Sequence, residues 1–62
     1  MSAMPKFEIY RDAGGKFRWR FKVPNGEIIA FSEAYESKEG CRRAIESIKI
    51  NVPKAELVDM AQ

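Results

Sequence analysis

The nine-residue segment GKFRWRFKV constrains the fold of this chain more than any other feature. From Lys16 to Val23 cationic and apolar side chains alternate, which is the period-two pattern of a β-strand with one buried face. Turn signals lie on both sides, Gly14-Gly15 before the segment and Asn25-Gly26 after it, and each favours a tight hairpin. The segment is therefore predicted to be the middle strand of an antiparallel sheet.

Two neighbouring segments are predicted to pair with this middle strand. Lys6–Arg11 alternates in the same way before the first turn, and Glu27–Ser32 follows the second turn. The result is a three-stranded antiparallel meander with strands expected over about 6–11, 16–23 and 27–32. A three-residue loop at 13–15 is expected in the first hairpin, and a two-residue type I′ turn at Asn25-Gly26 in the second.

These turns determine which side chains share a face of the sheet. The expected opposite pairs are Phe7 with Phe21, Ile9 with Trp19, Trp19 with Ser32, Phe21 with Ala30 and Val23 with Ile28. The face that they form is rich in aromatic residues, so we expect a helix to cover it.

The opposite face of the predicted sheet carries three cations of the middle strand, Arg18, Arg20 and Lys22. The first strand places Glu8 across from Arg20 and Tyr10 across from Arg18. The third strand is expected to leave two apolar side chains in solvent on this face, Ile29 and Phe31. Since one helix cannot cover both faces, a further surface is expected to lie against this face or its edge.

One helix is predicted over about 38–51, with Ser37 as its N-cap and Pro53 just beyond its end. Its apolar stripe at helical spacing is expected to cover the sheet and consists of Cys41, Ala44, Ile45, Ile48 and Val52. Beyond the helix, Lys54–Met60 alternates only weakly. The residues alone leave a short strand at about 55–58 and a frayed tail equally open.

The composition argues against an enzyme. The chain has no histidine and one cysteine, which removes Cys/His and Ser/His mechanisms as well as the spacing of a zinc site. Gly14-Gly15 leads into a strand rather than a helix and is not a phosphate-binding loop. No catalytic residue, metal or cofactor is therefore predicted. The start MSAMP lacks the features of a signal peptide, and a cytoplasmic location is expected.

The uneven distribution of charge along the chain leaves nucleic-acid binding as an alternative function. Residues 1–23 carry six Lys or Arg and two acids, whereas residues 24–62 carry five and seven. A three-stranded sheet followed by a helix is also the plan of proteins that read DNA with strands in the major groove, and Arg18, Arg20 and Lys22 would make the contacts. Glu8 across from Arg20 and a net charge of only +2 count against this reading.

The chain resembles a known family in three segments, FEIYRDAGGKFRWRFKVPNGEIIA, SEAYESKEGC and IESIK, which together run from Phe7 to Lys49. They are similar to the YegP-like family of uncharacterised bacterial proteins. The resemblance implies an α+β unit of three strands, a helix and a C-terminal strand (β3-α-β) that works in pairs and exchanges the last strand. It brings no activity, substrate, ligand or cofactor.

One domain at most, 1–62, fits a chain of this length, and it buries only about 60% of its unfolded surface, so a partner chain is expected to add burial. With one copy of the unit, the resemblance implies a homodimer in which Pro53 is the hinge. The strand-exchange contacts would be Ala55, Leu57 and Val58. The expectation is a non-catalytic homodimeric structural or interaction module that needs neither membrane nor metal, with any small-molecule ligand unidentified.

Overall fold

The computed structural model describes residues 4–61 and contains three β-strands followed by one α-helix. The elements are β1 (Lys6–Arg11), β2 (Phe17–Lys22), β3 (Ile28–Phe31) and α1 (Lys38–Asn51), with a 3₁₀ turn at Val52–Lys54. The strands form one antiparallel sheet in the order β1-β2-β3. The predicted α+β class with a three-stranded meander and one helix is confirmed.

The first hairpin has the predicted three-residue loop. The amide of Gly15 donates to the carbonyl oxygen of Asp12 at 3.0 Å, and the amide of Asp12 donates to that of Lys16 at 2.8 Å. Gly15 has a φ of 82°, a conformation that glycine adopts without steric cost. The carboxylate oxygen Oδ1 of Asp12 also accepts hydrogen bonds from the amides of Gly14 and Lys16. This loop produces the predicted β1–β2 pairs, including Ile9 opposite Trp19.

The second hairpin differs from the prediction. Its loop has three residues, 24–26, because the amide of Val23 donates to the carbonyl oxygen of Glu27 at 2.9 Å. Only Gly26 has a positive φ, 90°, whereas a type I′ turn would need a positive φ at Asn25 as well. Pro24 explains the difference, since its fixed φ favours the second position of a type I turn.

The shifted turn changes the pairing at the start of β3. Phe21 lies opposite Ala30 as predicted, but Lys22 rather than Val23 lies opposite Ile28. The register shifts between Phe21 and Lys22, and Ile29 takes up the extra residue. Ile29, expected on the cationic face, instead lines a groove on the helix side of the sheet.

Helix α1 covers the aromatic face of the sheet as predicted. The Oγ of Ser37 caps it by accepting a hydrogen bond from the amide of Gly40 at 3.0 Å. Among residues 4–61 the buried apolar side chains are Trp19, Cys41 and Ile45. Half-buried apolar neighbours surround them: Phe7, Ile9, Phe17, Phe21, Ala30, Tyr35 and Ile48. Val52 was expected to complete the stripe, but it lies beyond the end of α1 and is 61% exposed.

The residues after the 3₁₀ turn form no strand with the rest of the described chain. Positions 55–61, which we call the C-terminal tail, are all exposed, and Leu57 has 89% of its surface in solvent. The strand expected at about 55–58 in the sheet of a second copy remains a prediction. No helix within residues 4–61 combines the length and apolar character needed to cross a membrane.

Candidate functional site

The three cations proposed as contact residues lie on the uncovered face of the sheet, and each has a carboxylate partner. Nε of Arg18 is 2.7 Å from Oδ2 of Asp12, and Nε of Arg20 is 2.7 Å from Oε1 of Glu8. Nζ of Lys22 lies 3.5 Å from the same oxygen of Glu8. The β1–β2 register causes this arrangement, because it sets Glu8 directly across from Arg20.

These pairs change the acidity of both carboxyl groups. The hydrogen bond from Arg20 lowers the pKa of Glu8, and the charge of Lys22 adds to the effect against partial desolvation. The hydrogen bond from Arg18 lowers the pKa of Asp12, helped by the backbone amide of Lys16. The same pair raises the pKa of Arg18. Both acids therefore remain ionised at neutral pH and hold their cations in place.

Aromatic side chains also constrain this cationic face. The guanidinium of Arg20 lies 5.0 Å from the ring centroid of Tyr10, a distance at which the ring attracts a cation. Phe31 pairs with Arg20 on the other side and is 74% exposed, as the sequence predicted. The face thus combines three cations, two acids and an exposed aromatic ring. Each carboxylate accepts from the Nε of its arginine, so a phosphate group would have to displace that carboxylate to bind through Nε.

An apolar groove, here called the β3–α1 groove, is the second surface. It lies between the β3 side of the sheet and the end of the helix and has a volume of about 480 Å³. The sheet contributes Trp19, Phe21 and Ile29, and the helix end contributes Ile48, Val52 and Pro53. The indole Nε1 of Trp19 is buried and has no hydrogen-bond partner among residues 4–61.

A second groove, the β1–α1 groove, lies between the β1 side of the sheet and the helix and has a volume of about 490 Å³. It adjoins the β3–α1 groove, because Phe7, Phe21 and Lys49 line both. Its apolar part includes Ile9 and Ile45, which are already half-buried or buried. Three cations line it, Lys6, Arg42 and Lys49, together with Glu46. This groove therefore exposes less apolar surface than the β3–α1 groove.

Sequence reasoning found the first surface in part and missed the second. It predicted Glu8 across from Arg20 and Tyr10 across from Arg18, and the register confirms both pairs. It did not predict the ion pair between Arg18 and Asp12. An aspartate at the first position of the turn was the available signal for that ion pair. The β3–α1 groove was missed because Ile29 was expected on the other face and Val52 in the core.

The cysteine does not form a reactive site. Cys41 has no exposed surface, and burial raises the pKa of its thiol. A thiol of this kind is a core side chain, since the reactive species is an accessible thiolate. Within residues 4–61, no group of three His, Cys, Asp or Glu side chains is arranged to hold a metal ion.

Known proteins resemble this chain in both sequence and structure. A family model described as a domain of unknown function, DUF1508, matches residues 12–59. A UPF0339 protein from Treponema denticola is 56% identical over 55 residues, which cover 89% of this chain and 95% of the relative. An NMR solution structure of a protein from Haloferax volcanii has a TM-score of 0.81 at 40% identity, covering 95% of this chain and 98% of that one.

One relative is longer than this chain, so the matched segment is a smaller share of its length. A UPF0339 protein from Stutzerimonas stutzeri is 51% identical over 47 residues, which are 76% of this chain but only 42% of the relative. Fold and comparisons together define a small α+β domain of an uncharacterised class. The chain belongs to the DUF1508 family of UPF0339 proteins, and the resemblance to the YegP-like family is confirmed. The expectation of a bacterial family was too narrow, because members also come from archaea.

Proposed function

We propose that this chain is a non-catalytic structural or interaction module that works as a homodimer, and that the two copies exchange their C-terminal tails. The observation that carries the proposal is the apolar surface left in solvent on three parts of the described chain. The exposed large apolar side chains there include Ile29, Phe31, Val52, Leu57, Val58 and Met60. Apolar surface of this extent marks an association site in small proteins.

The size of the core supports the same proposal. Three buried apolar side chains are few for a domain, and no disulfide or metal cluster reinforces the core among residues 4–61. Burying a leucine such as Leu57 stabilises a protein by about 1.5–3 kcal/mol, and a two-fold dimer gains this contribution twice. Association would therefore add substantially to a marginal fold.

The backbone after the helix supports exchange of the tail. Ala55 closes the 3₁₀ turn and is itself extended, with φ −72° and ψ 135°. The chain thus leaves Pro53 in a conformation that a strand can continue, and Ala55, Leu57 and Val58 are the proposed contact residues. A cytoplasmic location is part of this proposal, because a free cysteine is usual in a reducing compartment.

The longer relative is consistent with a unit that works in pairs. More than half of the Stutzerimonas stutzeri protein lies outside the segment that this chain matches. That length leaves room for a second unit in the same chain. A module that needs two copies would occur either as a tandem pair or as a dimer of single copies.

Nucleic-acid binding is the weaker alternative. Each of Arg18, Arg20 and Lys22 is paired with a carboxylate, so the free positive charge on this face is small. The net charge of +2 for the whole chain also provides little long-range attraction for phosphate.

Removal of the C-terminal tail tests the proposed function. A variant that ends at Lys54 should sediment as a monomer and unfold at a lower temperature than the full chain. As a milder test, Leu57→Asn should weaken the dimer at least about tenfold, because each copy loses an apolar contact. Glu56→Gln is the matched control and should change dimerisation far less. A truncated chain that remains dimeric with an unchanged melting temperature would refute tail exchange.

A further inference from the structure

We propose that the β1–α1 groove binds a small organic anion with an apolar body, of the class of a carboxylate on a hydrocarbon chain. This ligand site goes beyond the proposed homodimer and does not rest on it. The groove has a volume of about 490 Å³. Small-molecule sites in proteins span roughly 300–1,000 Å³, so the groove is large enough for a ligand of this class. The side chains that line it determine which ligand it favours.

The floor of the groove is apolar and belongs to the core. Phe7, Ile9 and Phe21 of the sheet are half-buried there, and Ile45 of the helix is buried beside them. Side chains that already pack in a core form a surface that need not reorganise when a ligand binds. A hydrocarbon chain gains burial on this floor, whereas a small hydrated ion would lose part of its hydration without compensation.

The rim of the groove carries three exposed cations, Lys6 at the start of β1 and Arg42 and Lys49 on the helix. Among the ion pairs of residues 4–61, none of these three has a carboxylate oxygen within 4.0 Å. By contrast, each β2 cation of the uncovered sheet face has such a partner. The positive charge at this rim is therefore available to a ligand.

The acid of the groove leaves this charge uncompensated. Glu46 lies four residues after Arg42 and three before Lys49, which are the spacings at which helical ion pairs form. Within the part of the chain that the structure describes, Glu46 nevertheless makes no ion pair with either cation. Three cations and one acid give the lining a net charge of +2. An anionic head group complements this charge, whereas a cationic or neutral head group does not.

The adjoining β3–α1 groove provides a comparison within the same molecule. Apart from Lys49 its lining is apolar, and it includes the exposed side chains of Ile29 and Val52. A neutral hydrocarbon therefore gains more burial in the β3–α1 groove. A carboxylate meets three cations at the rim of the β1–α1 groove and one in the other. The charge of the ligand thus selects the β1–α1 groove.

An NMR titration of the ¹⁵N-labelled full chain tests the site with three probes: octanoate, 1-octanol and acetate. Octanoate should cause saturable shifts of the amide signals of Phe7, Ile45 and Glu46, and these shifts should weaken as salt is added. Acetate should cause none, and 1-octanol should shift Ile29 and Val52 instead. Octanoate shifts confined to Ile29 and Val52, or equal shifts of Ile45 by octanoate and 1-octanol, would overturn the inference. The absence of octanoate-dependent shifts would refute this site and leave the homodimer untouched.

A matched pair of neighbouring arginines provides a second test. Arg42 and Arg43 are both exposed on the helix, but of the two only Arg42 lines the groove, and Arg43 is 3.9 Å from a carboxylate oxygen of Glu39. Arg42→Gln should raise the octanoate dissociation constant at least about threefold, and Arg43→Gln should change it less than about 1.5-fold. Glu46→Gln should lower it, because a repulsive charge is removed.

All three substitutions place glutamine, a good helix former, at exposed helix positions, so circular dichroism should show an unchanged fold. Equal effects of Arg42→Gln and Arg43→Gln would contradict the inference, because they would mean that only the overall charge of the chain matters. Weaker octanoate binding after Glu46→Gln would also contradict it.

Discussion

Glu8 and Arg20 lie directly opposite each other in the β1–β2 ladder, and Nε of Arg20 donates to Oε1 of Glu8 at 2.7 Å. The pair lowers the pKa of Glu8 and occupies a guanidinium that would otherwise be free for a ligand. A cross-strand pair of opposite charges also favours one register over its one-residue alternatives. The cationic face of the sheet is therefore partly neutralised by the hairpin that forms it.

The first prediction concerns acid stability. Since the pKa of Glu8 lies below its ordinary value of 4.5 in the folded chain, its ion pair stabilises the fold above that pH and is lost as the pH falls through the lowered pKa. Glu8→Gln should therefore lower the melting temperature at pH 7. The melting temperature of this variant should also decrease less than that of the wild type between pH 5 and about pH 2. The measurement is thermal unfolding followed by circular dichroism across this range. Glu33→Gln is the control, and an identical pH profile for both variants would contradict the assignment.

The second prediction concerns nucleic acid. Because Arg18 and Arg20 are paired with carboxylates, the wild-type chain should not shift DNA or RNA in a gel at about 0.15 M salt. Releasing the cations with Glu8→Gln and Asp12→Asn together should increase any binding seen at low salt. If the wild-type chain binds at physiological salt and Arg18→Glu abolishes that binding, the cationic face is a nucleic-acid site after all.

The third prediction separates two adjacent glycines of the first hairpin. Gly15 has a φ of 82°, so Gly15→Ala forces a side chain into the left-handed region and should destabilise the fold by about 1 kcal/mol. A Cβ on Gly14 would lie 3.5 Å from Oδ1 of Asp12, which is an ordinary contact, so Gly14→Ala should change stability by less than about 0.5 kcal/mol. Chemical denaturation of both variants measures the difference. Equal losses would mean that the loop tolerates alanine at either position.

The fourth prediction uses two isoleucines of the helix. Ile45 is 8% exposed and packs beside Cys41 and Trp19, whereas Ile50 is 59% exposed. Ile45→Val should cost about 0.5–1.5 kcal/mol through the lost methylene group. Ile50→Val should change stability by less than about 0.5 kcal/mol. Unfolding in denaturant measures both changes in stability. A larger loss of stability for Ile50→Val than for Ile45→Val would contradict the prediction, because it would mean that the helix face carrying Ile50 is the buried one.

Most of the fold follows from local patterns in the sequence. The alternation in β1 and β2, with a three-residue glycine loop between them, was sufficient to predict the pair Ile9–Trp19 and the salt bridge Glu8–Arg20. The helix bounds followed from its cap and from the proline beyond its end. These features depend on residues close in the chain, where turn chemistry and periodicity act directly.

The features that were missed depend on competition between signals or on distant packing. Pro24 outweighed the Asn25-Gly26 preference and moved the second turn by one residue, which placed Ile29 on the helix side of the sheet. Val52 continued the helical spacing but came after the last turn of α1. The β3–α1 groove arises from these two displacements together, so no single motif in the sequence indicates it.

The mass of the intact chain in solution tests the central claim most directly. Light scattering across a gel-filtration peak at micromolar concentration should give twice the mass of one chain, because tail exchange buries apolar surface that the described chain leaves in solvent. A single species with the mass of one chain and a cooperative unfolding transition would contradict the homodimer and the tail exchange that depends on it.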